Sequence, residues 1–551
     1  MNQVAKAKHP RGLMVLFFTE MWERFGYYLM VGILLLYLTD TTTGGKGFST
    51  SMGADVVGTF IALVYLTPFI GGLIADRYLG YIKSIFIGGS LMAAGYIGLA
   101  VPGDTAMYVS LGLIIIGNGF FKPNISTLLG IIYNKDELKP LKDNAYNIFY
   151  MGINIGALFC NFVAAYLRNT YGWGYAFAAA GVGIIIGLIW LALGLKHVKY
   201  ADVKKPMEKG DMPISKIFGS VFLPMIVFAI IGWIIPGNFF GSDSNDAFMF
   251  ACIPVIFFYF NLWRRGSPQD KKGIGALLFI FAVSIIFWTI YNQNSTALTI
   301  WAQSHTDRQI SPALEGPASS INMVQKISAE PQEVDKLDQY MRPVVDANGE
   351  PVKEMGPDPY LVNLPKDKWP QPGKELKLMN AELFQSINPF FIVFLTPLLL
   401  GFFAFLRKRN KEPTTMGKFG YALFISGLSA MVMVFAVMSV PSIYLHKTAG
   451  IWLVMTYFVF TISEIFLSPI GLSLVSKLSP PRLTALMMGG WFLSTSLGGK
   501  VAGVMASFWN KIPDKRIFFG ILFVAAVLGG ILIFSRIKSL NKIVKENTGS
   551  A

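Results

Sequence analysis

The chain alternates between long apolar runs and short polar connections. Fourteen runs, at about 13–38, 52–75, 82–101, 106–133, 146–168, 175–196, 214–236, 246–264, 273–301, 386–407, 416–440, 448–476, 484–510 and 516–536, are long enough to cross a bilayer, which takes roughly 20 residues per helix. In lipid only helices and closed barrels satisfy their backbone polar groups. A barrel would show segments of about ten residues with alternating hydrophobicity. Unbroken runs therefore predict an all-α polytopic membrane protein with fourteen spans. The first run carries charges and lacks a small-residue cleavage site, so it is read as a retained span and not a signal peptide.

The longest polar stretch, 302–385, is rich in Pro and holds 9 Lys+Arg against 13 Asp+Glu. It reads as either a small folded cap or a loosely ordered loop, since long structureless loops are uncommon. The expected organisation is a six-helix bundle over 1–197, a basic linker plus an inserted helix pair over 198–272, and the first helix of a second bundle over 273–301. The insertion 302–385 follows, then the remainder of that bundle and a tail over 386–551. Paired halves are the usual build of secondary transporters.

Composition narrows the class. Hydrophobic residues make up 53% of the chain and charged residues 14%, against about 25% charged in soluble domains. That argues against a cytosolic enzyme and excludes disordered and fibrous classes. The net charge of +15 comes mainly from short connections. Positive charge before the first span, after spans six, eight and ten, and at the C-terminal end falls on one side of a fourteen-span layout. Both termini are therefore expected to be cytoplasmic. Only the connection near Lys511, Lys515 and Arg516 dissents. The charge is thus a topology signal, and no nucleic-acid partner is expected. Cys160 and Cys252 lie in apolar runs, and the four histidines suggest no zinc site. No metal, cofactor or nucleotide motif is expected, so an ion gradient must supply the energy.

Ionisable residues inside spans are functional candidates by default, because they cost several kcal/mol there. The first span reads FFTEMWERFGYYLMVG. At about 100° per residue, Glu23, Arg24, Tyr27 and Val31 fall within roughly 100° of one another, with Glu20 as origin and Tyr28 at the margin. Lys122 lies mid-run in the fourth span beside Pro123, and Asn154 shares a polar stripe of the fifth. Trp288 belongs to a polar face of 273–301, Glu464 is a lone carboxylate in 448–476, and Trp491 follows in the next span. Lys500 reads as structural. Three acids and two bases on three spans can hold a zwitterion with its charges apart. Burial raises a carboxyl pKa and a nearby cation lowers it, so a substrate that occupies the cation promotes protonation of the acid.

These residues carry a resemblance. Glu20-Met-Trp-Glu23-Arg24, the segment Gly71–Ile85 with Asp76-Arg77, and Phe149–Leu158 are similar to three motifs of the proton-dependent oligopeptide transporter family of the major facilitator superfamily. GFFKPN, FWTIYNQ, INPFF and SEIFLSPIGLS also resemble family segments. The resemblance implies two six-helix bundles plus two additional helices, as in bacterial members. It implies proton-driven di- and tripeptide import by alternating access in the plasma (inner) membrane, with no cofactor and a functional monomer. By matching position, Arg24 and Lys122 would face the peptide carboxylate. Glu464, Asn154 and Asn388 would receive the amino group. Tyr27, Tyr28 and Tyr65 would line one half of the cavity, and Trp288 and Trp491 side-chain pockets. Glu20 and Glu23 would couple protons, with Glu23 near Arg24. Lys122 with Glu464 would form a cytoplasmic-side gate, and Asp76 and Arg77 would stabilise one conformation.

Two departures stand out. Many members carry Arg where Val31 stands and Glu where Asn292 stands, an ion pair of the outer gate. Both are missing here, which leaves neither charge without its partner. The insertion is also long for a bacterial member. An atypical member carrying nitrate, another small anion or a drug-like amphiphile is the alternative within the fold. A membrane enzyme or receptor would need Ser/His/Asp, metal-ligand or nucleotide signatures that the chain lacks.

Overall fold

Helices follow the apolar runs closely. The computed structural model describes residues 8–41, 44–138, 141–203, 213–346, 351–480 and 483–548. In chain order the first helices are α1 (Arg11–Thr39), α2 (Thr50–Ile74), α3 (Tyr81–Gly98), α4 (Asp104–Ile132), α5 (Lys142–Tyr171) and α6 (Trp173–Gly194). Next come α7 (Ile214–Ile217), α8 (Leu223–Ile234), α9 (Asp243–Arg265), α10 (Pro268–Tyr291) and α11 (Ala297–Ser304). After the short α12 (Pro312–Ser320) come α13 (Ile387–Lys408), α14 (Thr415–Met438), α15 (Ile451–Leu478), α16 (Thr484–Ser507) and α17 (Lys515–Thr548).

Every one of the fourteen expected runs lies on helix. Among the described residues, nine helices combine the length and apolar composition needed to cross a membrane, with shorter apolar stretches at Phe218–Ile234 and Ile451–Leu467. Helices α1, α3 and α16 are less apolar. Helix α1 carries Glu20, Glu23 and Arg24 at mid-length, and α16 carries Lys500 among glycines and serines.

Local chemistry breaks two runs. The run at 214–236 passes through a π turn at Phe218–Phe222 before α8, which has Pro224 in its first turn. Proline has no N–H to give the preceding turn, so the ladder shifts there. The run at 273–301 is interrupted by a 3-10 turn, Asn292–Ser295. The amides of Asn292 and Gln293 and the hydroxyl of Thr296 each bond back to a backbone carbonyl at i−4, competing with the α-helical ladder.

The chain forms two compact units. One comprises the described residues within Met1–Ile33 and Leu63–Lys209, the other those within Leu34–Ala62 and Gly210–Ala551. In the first, glycines let helices meet at backbone distance. A Cβ on Gly156 of α5 would lie 2.4 Å from the Met21 carbonyl of α1, and one on Gly71 of α2 would lie 2.0 Å from that of Gly119 in α4. Small residues at such contacts are the normal means of packing helices in lipid. The connection from α2 to α3 ends on Gly80 at φ 85°, and Asp202 Oδ1 accepts the backbone N–H groups of Tyr81 (2.6 Å) and Ile82 (3.3 Å) at the start of α3.

In the second unit the 302–385 segment is a folded cap. Strand β1 (Thr306–Asp307) pairs in parallel with β6 (Thr448–Ala449). Two antiparallel pairs join β2 (Val324–Ile327) to β5 (Leu376–Met379) and β3 (Gln332–Asp335) to β4 (Lys353–Gly356). Ile327, Tyr360, Leu361, Leu364 and Leu378 form its core. Arg308, 1% exposed, donates to the Gln325 side chain (3.0 Å) and the Met379 carbonyl (2.7 Å). Asn363 donates to Ile443 O at 2.8 Å and accepts from Lys447 Nζ at 2.7 Å, tying the cap to the α14–α15 connection.

Candidate functional site

The first unit holds a buried charge cluster on one stripe of α1. Glu20 and Arg24 are one turn apart, so their side chains meet: Arg24 Nε lies 3.1 Å from Glu20 Oε1. The same Nε bonds Glu23 Oε2. From α4, Asn118 Nδ2 lies 3.4 Å from the other Glu23 oxygen. All three charged residues are 3% exposed or less. Glu20 Oε2, Arg24 Nη2 and Asn118 Oδ1 are buried without a hydrogen-bond partner among the described residues. Buried polar atoms are nearly always paired, so this cluster has both donor and acceptor capacity left for a guest.

Aromatic rings hold the cations in place. The Arg24 guanidinium sits 5.3 Å from the Tyr27 ring centroid, and Tyr28 meets Tyr27 edge-on at 5.3 Å. Lys122 Nζ lies 3.8 Å from the Tyr65 centroid, an attractive geometry for a desolvated ammonium. Lys122 is also within electrostatic reach of both acids. Glu20, Glu23, Arg24, Tyr27, Tyr28, Tyr65 and Lys122 thus belong to one neighbourhood. Asn154 is buried in the same unit but donates to Tyr150 O of its own helix at 2.9 Å. Asp76 is half-buried in the π turn Ala75–Leu79. Arg77 shares that turn, and its side chain lies outside the described residues.

The second unit holds a different arrangement. Glu464 of α15 is 6% exposed. Its Oε2 accepts from Asn388 Nδ2 of α13 at 2.9 Å. The same amide reaches Thr461 Oγ1 at 3.0 Å, and Thr461 donates to Tyr457 O one turn back. Residues 457, 461 and 464 share a helix face, which is why one amide can serve two of them.

Close packing builds an indole pair in the same unit. A Cβ on Gly471 would meet the Trp491 ring at 2.1 Å, and one on Gly498 would meet Trp288 Cβ at 2.3 Å. The two indoles stand nearly perpendicular, 6.2 Å apart. Trp288 Nε1 is buried without a partner among the described residues, a donor left for a guest. Val31 is buried on α1, and Asn292 is buried with its amide on Trp288 O at 2.8 Å. Among the described residues no group of three or more His, Cys, Asp or Glu could hold a metal ion.

Asn118 and Thr461 stand four and three residues before Lys122 and Glu464, so helical spacing alone puts each on the face of a charged candidate. Asp55 was not singled out, although it is an acid in the apolar run that forms α2. Pairing it by sign with Lys500 of α16 was the available signal, and the two lie 2.8 Å apart in the second unit.

Known proteins share this arrangement of elements. A family model described as the POT family matches residues 82–328 and 376–522. An uncharacterized transporter of Bacillus subtilis (strain 168) is 31% identical over 95% of this chain and 93% of its own length. A di-/tripeptide transporter of Lactococcus lactis subsp. lactis (strain IL1403) is 29% identical over 98% and 97%. The crystal structure of a peptide transporter POT in complex with sulfate matches with a TM-score of 0.74 at 27% identity, covering 97% of this chain and 96% of that one. The helical architecture is therefore that of these multi-pass transporters, and the chain belongs to the POT family.

Proposed function

We propose that the protein is a proton-coupled symporter that imports di- and tripeptides by alternating access. The observation that carries this reading is chemical. Arg24, shared by two buried acids and accompanied by Lys122, suits a carboxylate. Glu464, held by the neutral amide of Asn388, suits an ammonium. A peptide backbone offers one of each. The names of the lactococcal relative and of the sulfate-bound structure support the same substrate class.

The cycle follows from competition for one guanidinium. Without substrate, Glu20 and Glu23 share Arg24. A proton on one acid removes its claim, and the peptide carboxylate takes the vacated donors while Lys122 adds positive charge. The peptide amino group goes to Glu464 and displaces the Asn388 amide. Loss of the proton lets the acid reclaim Arg24 and expels the peptide. Downhill proton flow thus drives uptake, with no cofactor and no chemical conversion, as expected of a transporter and not an enzyme.

In this reading the chain crosses the plasma (inner) membrane fourteen times with both termini cytoplasmic and works as a monomer. Bundles over 1–197 and over 273–301 with 386–551 flank the inserted pair in 198–272. Uptake of labelled dialanine into proteoliposomes should rise with an inward proton gradient and fall under competition by other dipeptides. Gradient-driven uptake of nitrate or an amphiphilic drug without peptide competition would overturn the substrate assignment.

A further inference from the structure

Lys500 lies deep in the second unit and is fully buried. Its ammonium donates to Asp55 Oδ1 at 2.8 Å, Thr59 Oγ1 at 2.5 Å and Ser244 Oγ at 3.3 Å. A lysine has three N–H donors, and each finds an acceptor. The other Asp55 oxygen accepts from Ser242 at 2.8 Å and Ser244 at 2.6 Å. Three helices therefore meet at one ion pair: α2 supplies Asp55 and Thr59, α16 supplies Lys500, and α9 supplies Ser244 from its first turn and Ser242 from its N-cap.

The surroundings are built for close approach. Gly58 of α2 faces Gly503 of α16 so closely that a Cβ on either would come 2.7 Å from the other's Cα. Ser496 Oγ donates to the Ala62 carbonyl at 2.6 Å. The serines are held in turn. Ser242 caps α9 by accepting from Asn245 N, and buried Asp246 accepts the N–H groups of Phe239 and Phe240, pinning the α8–α9 turn. Gly232 of α8 packs onto the Asp246 carbonyl of α9.

A buried ion pair gains little stability over an apolar replacement, and its best-attested use is as a register or switch element. Helices α1 and α2 run without interruption through residues 33–34 and 62–63. At those points they pass from the first compact unit to the second. The proline of α2, Pro68, lies beyond this boundary, and from Thr50 to Thr67 the helix has none to hinge on. The 54–62 stretch of α2 therefore cannot stay on α16 if the rest of α2 rocks with the first unit.

We propose that Asp55, Thr59, Ser242, Ser244 and Lys500 form an outer-side latch that must break each time the carrier opens outward. The inserted α8–α9 hairpin is a working part of it. The inference rests on the alternating-access and orientation reading above, but its test does not use transport.

The reporter is Ser496→Cys in full-length protein with Cys160→Ala and Cys252→Ala, reconstituted and labelled from outside with a membrane-impermeant maleimide. Asp55→Asn or Lys500→Met should raise the labelling rate about tenfold, the scale of one lost charged hydrogen bond. Ser242→Ala with Ser244→Ala removes two donors to the Asp55 carboxylate while leaving the ion pair, and should also raise it about tenfold, the scale of a lost hydrogen bond to a charged group. The swap Asp55→Lys with Lys500→Asp should return it towards the parent. The neutral pair Asp55→Asn with Lys500→Met strands no charge, so it remains informative if a single variant fails to fold, and it should label as fast as the singles. Parent-like labelling in the neutral pair, or a swap as fast as the singles, overturns the latch whether or not dialanine uptake is found.

Discussion

The buried acids of the two units are handled in opposite ways. In the first unit two carboxylates converge on one guanidinium, with a second cation nearby. In the second unit the described partner of Glu464 is a neutral amide. A carboxylate that shares a cation can be displaced by another anion, including that of a substrate. A carboxylate held only by an amide keeps its appetite for a cation. Under the function proposed above, this contrast would let one protein tell the two ends of a peptide apart, with the first cluster answering to a carboxylate and a proton and the second to an ammonium.

The most direct way to break the comparison is to neutralise the first cluster. Glu20→Gln or Glu23→Gln should lower gradient-driven dialanine accumulation at least about 100-fold, the range typical for losing a positioned proton-transfer group, while peptide counterflow survives. Normal accumulation in both variants would remove proton coupling from this cluster. Neutralising the second cluster should act on affinity. Glu464→Ala should weaken free dipeptides about 10- to 100-fold, the equivalent of one charged hydrogen bond at 1.5–3 kcal/mol, and spare N-acetylated analogues in competition assays. Equal loss for both ligand types would contradict an amine site.

Acid sensitivity needs its own control, because burial of His305 predicts that the cap loses stability in acid. His305, at the end of α11, is buried with its pKa pushed down to about 3, first by burial and then by the Lys447 charge. The neutral ring fits the fold, whereas the unfolded chain takes up a proton below about 6.5. Stability is therefore full above that pH and falls as pH drops from 6.5 towards 3, by at most about 1.4 kcal/mol per unit. Thermal unfolding at pH 7 and pH 5 should differ, and His305→Asn should flatten the difference without altering the gradient dependence of uptake. The smallest effect is expected from Val31→Arg with Asn292→Glu. Both positions lie apart from the two clusters' charged contacts, so peptide binding should stay within about twofold, below 0.5 kcal/mol. Loss of binding would show that these sites sharpen the pocket after all.

Much of this was legible along the chain. The α1 stripe could be read by angle alone, because helical periodicity brings residues 20, 23, 24 and 27 to one side whatever the helix packs against. The motif segments added residue roles that periodicity does not contain, Asn388 beside Glu464 among them. The cap was not legible: its strands are four residues or shorter and mostly polar, and its core draws on residues as far apart as Ile327 and Leu378. The break at Asn292–Ser295 falls on a short polar stretch, Asn292–Thr296, that the long apolar flanks caused to be read as part of one span. Asp55 escaped notice because its partner lies 445 positions away.

By itself the sequence determined that the chain is a helical membrane protein and where its helices run, because bilayer thickness and backbone hydrogen bonding leave few options for long apolar runs. It also determined that several charges lie in those runs. Only the tertiary structure decided which charge meets which. Arg24 takes two acids, Glu464 takes an amide, and Lys500 takes Asp55, Thr59 and Ser244. Helical geometry acts over three or four residues, whereas these pairings depend on contacts between helices that glycine and serine allow to approach.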